Sequence, residues 1–169
     1  EVTPTDGTVN GTMVSSSVTV VNSPPAVLVT GPNPVAEGQT LTYTFTVTDP
    51  DPGDTFTVVS TSCGANGTQL NGVTTTATGG SFNCQFPDGP ASSTVSAQVK
   101  DFDNASSSIA SFVVTINNVA PTVDAGAGAT IDEEGTFRGF GSFTDPGSDT
   151  WTARADYGDT SGWQHLTLD

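Results

Sequence analysis

The sequence of 169 residues is poor in positive charge, with 3 lysines and arginines against 18 aspartates and glutamates and a formal net charge of −15. A chain of this kind lacks the basic patches that bind nucleic acid or an anionic membrane surface. Its acidity suits hard cations, which prefer carboxylate and carbonyl oxygens. Acidity also keeps secreted proteins soluble without any ion. We therefore expect no nucleic-acid partner.

Long apolar runs are missing as well. No run of about 18 apolar residues occurs, so we expect no direct membrane insertion. No basic segment followed by an apolar stretch opens the chain, so any signal peptide or anchor is expected to lie outside it. The abrupt ends predict that the chain belongs to something longer.

Residues for catalysis are also scarce. His165 is the only histidine, and no Gly-x-Ser-x-Gly motif accompanies it. Paired carboxylates hydrolyse glycosides in some enzymes, but here they lie in turn motifs without a surrounding aromatic cleft. We therefore predict that the chain is not an enzyme.

The only two cysteines are Cys63 and Cys84, 21 positions apart. In a chain rich in threonine and glycine with almost no lysine, this pair predicts a disulfide. The alternative is a pair of buried thiols. Two cysteines and one distant histidine cannot build a structural zinc site.

The sequence is rich in the alternating pattern that is typical of β-strands. Apolar residues alternate with polar ones along four segments, as they do in strands with one buried face. The predicted inward rows are Leu41, Tyr43, Phe45 and Val47; Phe82, Cys84 and Phe86; Val95, Ala97 and Val99; and Phe112, Val114 and Ile116. The pairs Asn66-Gly67 and Asn71-Gly72 are typical of tight turns. The chain is therefore predicted to be all-β, with strands that pack as a sandwich or a barrel.

The chain also repeats itself at an interval of about 96 residues. Asp49 recurs as Asp145 and Pro25 as Pro121, both 96 positions later. A shared interval is typical of tandem modules. The predicted units are the closing strands of one repeat in 1–23, a complete repeat in 24–118 and the opening part of a third in 119–169. Two short linkers, 22–27 and 117–123, join these units, and their prolines limit bending between the units.

The third unit resembles the first half of a PKD domain, an Ig-like sandwich of bacterial surface and secreted proteins. Where that family has a motif similar to Trp-Asp-Phe-Gly-Asp-Gly, this chain has Ala-Asp-Tyr-Gly-Asp-Thr at 155–160. The complete repeat, with Glu37-Gly38, the acidic stretch 49–54 and Asn117-Asn118, is similar to bacterial Ig-like and cadherin-like tandem repeats. The resemblance implies a spacer at the cell surface or in the medium, stiffened by calcium near its domain junctions.

Oxygen-bearing side chains gather in the predicted loops. Calcium takes roughly six to eight oxygen ligands. The residues predicted to supply them are Glu37, Asp49, Asp51, Asp54, Asp101, Asp103, Asn104, Asn118, Glu134, Asp145 and Asp149. Alternate residues of an extended loop point to one side, so Asp49 is expected to converge with Asp51. The alternative is plain turn chemistry, because Asp-Pro and Asp-Gly pairs form turns without an ion.

Three functions remain open. The first is a spacer segment of an extracellular or cell-surface protein, with neighbouring repeats of the same polypeptide or adjacent chains as partners. The second is a polysaccharide-binding accessory module, with Trp163 as the predicted surface aromatic and with Trp151 and Tyr157 in the core. The third is a filament subunit in which the incomplete third repeat is completed by strand exchange between chains.

Overall fold

The structure is a computed structural model that describes residues 2–168, and it is all-β, which confirms the predicted class. Its strands are β1 (Ala26–Thr30), β2 (Val35–Ala36), β3 (Thr40–Thr48), β4 (Phe56–Ser62), β5 (Thr68–Thr76), β6 (Gly79–Gln85), β7 (Ala91–Asp101), β8 (Ala110–Asn117), β9 (Thr122–Asp124), β10 (Ser142–Thr144), β11 (Ala153–Ala155) and β12 (Gln164–Leu166). The described chain contains no helix with the length and hydrophobicity required to span a membrane.

The strands β1 to β8 form two four-stranded sheets. One sheet has the order β1-β3-β6-β5 and the other the order β2-β8-β7-β4. Neighbouring strands are antiparallel except for β2 and β8, which run parallel with Val35 opposite Ile116. The chain therefore crosses between the sheets after β1, β2, β3, β4 and β6, and such repeated crossing is typical of Ig-like sandwiches.

The core lies between the inward rows of the two sheets, because successive residues of a strand face opposite sides. Its largest fully buried apolar side chains are Tyr43, Phe45, Phe86, Val95, Val99, Val114 and Ile116. The rings of Tyr43 and Phe86 meet edge to face with their centroids 6.0 Å apart, a favourable aromatic geometry. The period of two therefore identified the residues at the centre of the core.

A disulfide joins the two sheets. Cys63 directly follows β4 in one sheet, and Cys84 lies on β6 in the other. Both side chains are buried, and both belong to the hydrophobic core. The predicted disulfide is therefore present, as a covalent link through the middle of the sandwich.

The pair Asn71-Gly72, predicted as a turn, lies inside β5 instead. β5 pairs with β6 on both sides of it, and the register shifts between Leu70 and Thr74. Asn71 has a φ of +66°, a value that asparagine tolerates better than most residues. The prediction was wrong because a bulge in an edge strand accommodates the same residue types as a tight turn.

Beyond residue 118, part of the sandwich pairing recurs at the 96-residue interval. Phe143 on β10 lies opposite Val123 on β9, and Val47 on β3 lies opposite Val27 on β1, with both partners shifted by 96. β11 and β12 pair with each other. Their counterparts 96 positions earlier, β4 and β5, lie in different sheets.

The aromatic side chains of this last region remain accessible. Trp151 contacts Phe143, with ring centroids 5.3 Å apart, but it is 41% exposed, and Tyr157 is 59% exposed. The prediction that these two residues form a core is therefore wrong for the described chain. Both residues lie just outside β11, which pairs only with β12.

The region before β1 has no strand among the described residues, only isolated bridges between Val2 and Val14 and between Thr5 and Asn10. Val18 is 90% exposed, whereas Val114, 96 positions later, is fully buried in β8. Equivalent positions of the sequence therefore have opposite environments in the two segments.

Candidate metal sites at the two ends of the sandwich

The sandwich carries carboxylates at both of its ends. Glu37 precedes β3 and Asp49 follows it. Because β3 has nine residues and a strand rises about 3.3 Å per residue, these two positions are separated by about 30 Å. The predicted ligands therefore divide into two separate groups.

The first group, called the Asp101 cluster, consists of Asp49, Asp54 and Asp101. Asp49 follows β3, Asp54 precedes β4, and Asp101 is the last residue of β7. One carboxylate oxygen of each lies within 4.8 Å of the others. Three strand ends from both sheets thus bring together residues that are up to 52 positions apart in the sequence.

Hydrogen bonds orient these carboxylates. Oδ1 of Asp49 accepts the backbone N–H of Asp51 at 2.9 Å, and Oδ1 of the buried Asp101 accepts that of Ala105 at 2.8 Å. Oδ2 of Asp54 is shielded from solvent and has no hydrogen-bond partner in the described chain. A buried oxygen without a partner is costly, so this atom is a suitable ligand for a cation.

The chain that enters the sandwich is attached to this cluster. Nδ2 of Asn22 donates to Oδ2 of Asp101 at 2.9 Å, and the backbone N–H of Ser23 donates to Oδ2 of Asp51 at 2.8 Å. Asp51 therefore acts as a cap for the linker and does not belong to the group of three carboxylates. The cluster lies where the linker meets the sandwich.

The second group, called the Glu37 cluster, consists of Glu37, Asp88 and Asp149, whose carboxylate oxygens also lie within 4.8 Å of one another. Glu37 is only 1% exposed. Its Oε2 accepts the N–H of Gly89 at 2.7 Å, and its Oε1 accepts the N–H of Val119 at 2.7 Å. Glu37 thus holds both the β6–β7 loop and the linker that leaves the sandwich.

The loop between β10 and β11 reaches the same cluster from the third unit. Oδ1 of Asp145 accepts the N–H of Gly147 at 2.8 Å, which repeats the turn formed by Asp49 and Asp51. Oδ2 of Asp145 is shielded from solvent and has no partner in the described chain. The N–H of Ser148 donates to the carbonyl of Pro87 at 3.0 Å. Asp149 is therefore brought to Glu37 across the junction.

Desolvation, together with the clustering of negative charge, raises the pKa of Asp54 in the first group and of Asp149 in the second. Desolvation raises the pKa of Asp54 above its ordinary value of 3.8, and the charges of Asp49, Asp103, Asp101 and Asp51 raise it further. Desolvation also raises the pKa of Asp149, with additional contributions from Glu37, Asp145 and Asp88. In both groups, negative charge is destabilising until a proton or a cation compensates it.

These shifts predict an unusual pH dependence. A carboxyl with a raised folded-state pKa stabilises the folded protein more as pH falls through that pKa, because the folded state takes up the proton first. In EGTA, the free energy of unfolding should therefore rise between pH 7 and the region just above 3.8. Asp6, whose pKa hydrogen bonds from Val9 and Thr8 lower to about 2, loses its stabilising contribution only below this window. Denaturant titrations at pH 7 and pH 5 measure the effect, and a steady loss of stability on acidification would contradict it.

Several predicted ligands lie outside both groups of three carboxylates. Asp103 is exposed and affects the Asp101 cluster only through its charge. Asn104 accepts a hydrogen bond from Nζ of Lys100 at 2.8 Å, and Asn118 donates to the carbonyl of Gly89 at 3.0 Å once its amide is oriented to suit its neighbours. Glu134 lies in an exposed turn with a φ of +67°. The predicted set was therefore larger than the set that converges.

One member of the two groups was not predicted. Asp88 lies in the sequence Pro-Asp-Gly-Pro between β6 and β7, which looks like an ordinary turn. Nothing in this stretch of sequence indicates that the β6–β7 loop lies beside Glu37. The loop and Glu37 are close in space because of the order of the strands in the two sheets.

Trp163, the predicted glycan contact, is 67% exposed. It lines a shallow surface depression together with Thr152 and Arg154. An exposed indole beside a guanidinium is compatible with stacking against a sugar ring. Its role stays a prediction.

The two sheets and the parallel pairing of β2 with β8 define the class of the protein, an Ig-like β-sandwich. The chain is similar to a solved structure, the PKD domain of an M14-like peptidase from Thermoplasmatales archaeon SCGC AB-540-F20, with 32% sequence identity and a TM-score of 0.47. The similarity covers 57% of this chain and 99% of that domain. No family model and no curated protein matches the chain. The sheet order and strand pairing by themselves describe the fold as an Ig-like β-sandwich.

Proposed function

We propose that the chain is a non-catalytic spacer segment of a repetitive extracellular or cell-surface protein, and that calcium stiffens the junctions between its units. The Ig-like fold is that of a structural or accessory module, and such a fold does not by itself specify an activity. The carboxylate clusters at the ends of the sandwich are the features of this chain that suggest a specific role.

The proposal that the units are tandem repeats is supported by the pairing of β9 with β10. This pair has the same register as β1 with β3, displaced by 96 positions. The turn formed by Asp145 and Gly147 also repeats that formed by Asp49 and Asp51. In the same alignment, Val18 corresponds to the buried Val114, so residues before β1 match the closing strand of a sandwich. Tandem units account for these correspondences with one interval.

The observation that carries the calcium proposal is that each carboxylate cluster contacts a linker. Asn22 and Ser23 contact the acidic residues at one end, and Val119 contacts Glu37 at the other. An ion bound at either place would restrain the linker relative to the sandwich. Clusters placed elsewhere on the surface would have no such effect.

The donor atoms fit calcium. Both groups consist only of carboxylate oxygens, which hard cations prefer over soft transition metals. Asp54 and Asp145 each have a shielded oxygen without a hydrogen-bond partner. Backbone carbonyls and water would complete the coordination shell, as they do in many calcium sites.

Calorimetric titration of the EGTA-treated chain with calcium tests the proposal. We expect heat of binding and a higher melting temperature, with a stabilisation of about 2.7 kcal/mol per site when free calcium is about 100 times the dissociation constant. Asp54→Asn should remove the response of one cluster. Glu134→Gln is the matched control, because its carboxylate lies outside both groups, and it should leave the titration unchanged. Absence of both heat and a melting shift in the parent chain would refute the calcium proposal.

The strand-exchange alternative keeps a specific observation in its favour. Val18, Phe140 and Trp163 are 67–90% exposed, so apolar side chains are open at both ends of the chain. A concentration-dependent mass in light scattering would support pairing between copies. A monomer with a cooperative unfolding transition would favour the spacer.

A further inference from the structure

The two linkers of the chain are held in a related way. Ser23 and Val119 occupy equivalent positions, 96 residues apart. The backbone N–H of each donates to a carboxylate, that of Ser23 to Asp51 at 2.8 Å and that of Val119 to Glu37 at 2.7 Å. The first carboxylate belongs to the unit after its linker and the second to the unit before its linker.

We propose that the Glu37 end of the sandwich is a docking surface for the loop 145–149 of the following unit, and that this docking already closes the junction through protein contacts before any ion binds. The inference rests on the proposed role as a spacer. It differs from the calcium proposal because it assigns the fixed geometry of the junction to a buried carboxylate, two backbone hydrogen bonds and the shape of the loop.

The first support is the burial and hydrogen bonding of Glu37. Its side chain is almost completely buried, and both of its oxygens accept short hydrogen bonds from backbone N–H groups. Hydrogen bonds from N–H groups to a carboxylate are stronger than those between neutral groups. Glu37 therefore holds the β6–β7 loop and the linker as a single body, and the loop 145–149 docks against that body.

The second support is the close approach of the loop. A methyl group placed on Gly147 would lie 2.5 Å from Cδ of Glu37, closer than unbonded carbon atoms approach. On the other side, Gly38 has a φ of +73° and no room for a side chain beside the carbonyl of Pro146. Since Glu37 is held by two hydrogen bonds, it cannot move aside. Glycine at position 147 is thus required for the loop 145–149 to pack against Glu37.

The third support is the contrast with the other linker. The residue 96 positions before Gly147 is Asp51, whose carboxylate caps Ser23. A carboxylate at position 147 would face that of Glu37 and repel it. Each linker is therefore capped by one carboxylate, that of Asp51 at the first linker and that of Glu37 at the second. At the second linker, the docking loop has Gly147 at the position equivalent to Asp51.

The experiment is amide hydrogen exchange measured by NMR on the whole 169-residue chain in EGTA. In the parent protein we expect the amides of Gly89, Val119 and Ser148 to exchange at least about tenfold more slowly than unprotected amides, because exchange requires these hydrogen bonds to open. Gly147→Ala should remove most of the protection of Ser148, which donates to Pro87, and leave that of Gly89. Glu37→Gln should reduce the protection of Gly89 and Val119.

Gly128→Ala is the matched control, because a methyl group there has no atom within 4 Å, and it should change none of the three rates. Unprotected Val119 and Ser148 amides in the parent chain would overturn the inference, as would full protection of Ser148 in Gly147→Ala. If Glu37→Gln fails to fold, Gly147→Ala still decides, since it alters only the docking loop. Failure of the calcium proposal has a different signature, namely no heat on titration, whatever the amides show.

Discussion

Replacement of Asp101 by alanine is expected to destabilise the protein by about 3 kcal/mol in EGTA, because two donors lose a charged acceptor. Those donors are the N–H of Ala105 at 2.8 Å and Nδ2 of Asn22 at 2.9 Å. Both bonds are partly shielded from solvent, so water replaces the lost acceptor poorly. Denaturant titration measures the change.

In the presence of calcium the effect should be larger. Asp101 supplies one of the three carboxylates of its cluster, so Asp101→Ala also removes the stabilisation by the ion. At about 100 times the dissociation constant this contribution is about 2.7 kcal/mol per site. The difference between the parent chain and the variant should therefore nearly double when calcium is added.

Two further variants separate the loss of the hydrogen-bond acceptor from the loss of the carboxylate charge. Asp101→Asn keeps an acceptor oxygen but removes a charge that raises the pKa of Asp54. In EGTA it should cost less than Asp101→Ala, and the response of the Asp101 cluster to calcium should still be lost. Asp103→Ala changes an exposed carboxylate in the same turn and should cost less than about 0.5 kcal/mol. If Asp103→Ala abolished calcium binding while Asp101→Ala did not, the assignment of the cluster would be wrong.

The strands and their buried rows were accessible from the sequence because both depend on a local period. Tyr43 and Phe45 alternate with threonines, Val114 and Ile116 flank Thr115, and all four apolar side chains are buried at the centre of the sandwich. A strand has only two faces, so the pattern alone decides which side chains point inward. Asn71 was misjudged because its preference for positive φ indicates a local conformation and not the element that contains it.

The acidic clusters depend on information of a different kind. Asp49 and Asp51 were expected to converge because they are neighbours in an extended loop. The structure instead turns Asp51 to the linker and brings Asp101 to Asp49 from the end of β7. That meeting follows from the order of strands in two sheets, which no local pattern encodes. Because the strand order is not encoded locally, the predicted ligand set lacked Asp88, which lies in the Glu37 cluster, and contained Glu134, which lies in neither cluster.

The junction contacts combine both kinds of information. The equivalence of Ser23 and Val119 follows from the repeat interval in the sequence, but their carboxylate acceptors come from opposite sides of their linkers. An alignment of the repeats alone would have assigned the same contact to both. The difference arises at one position, where the first sandwich has Asp51 and the following unit has Gly147.

Removal of the disulfide should destabilise the sandwich by about 3 kcal/mol, the value expected for closure of a loop of this length. The bond joins Cys63, which directly follows β4 of one sheet, to Cys84 on β6 of the other, 21 positions away in sequence. The double variant Cys63→Ala/Cys84→Ala should therefore melt about 15 °C lower. Thr57→Ala, which changes an exposed residue of β4, is the control. A loss below about 1 kcal/mol would mean that packing of the buried row alone holds the sheets together.

The burial of Cys63 and Cys84 also predicts that dithiothreitol reduces the disulfide of the native protein slowly, since the sulfurs become accessible only when the sheets separate.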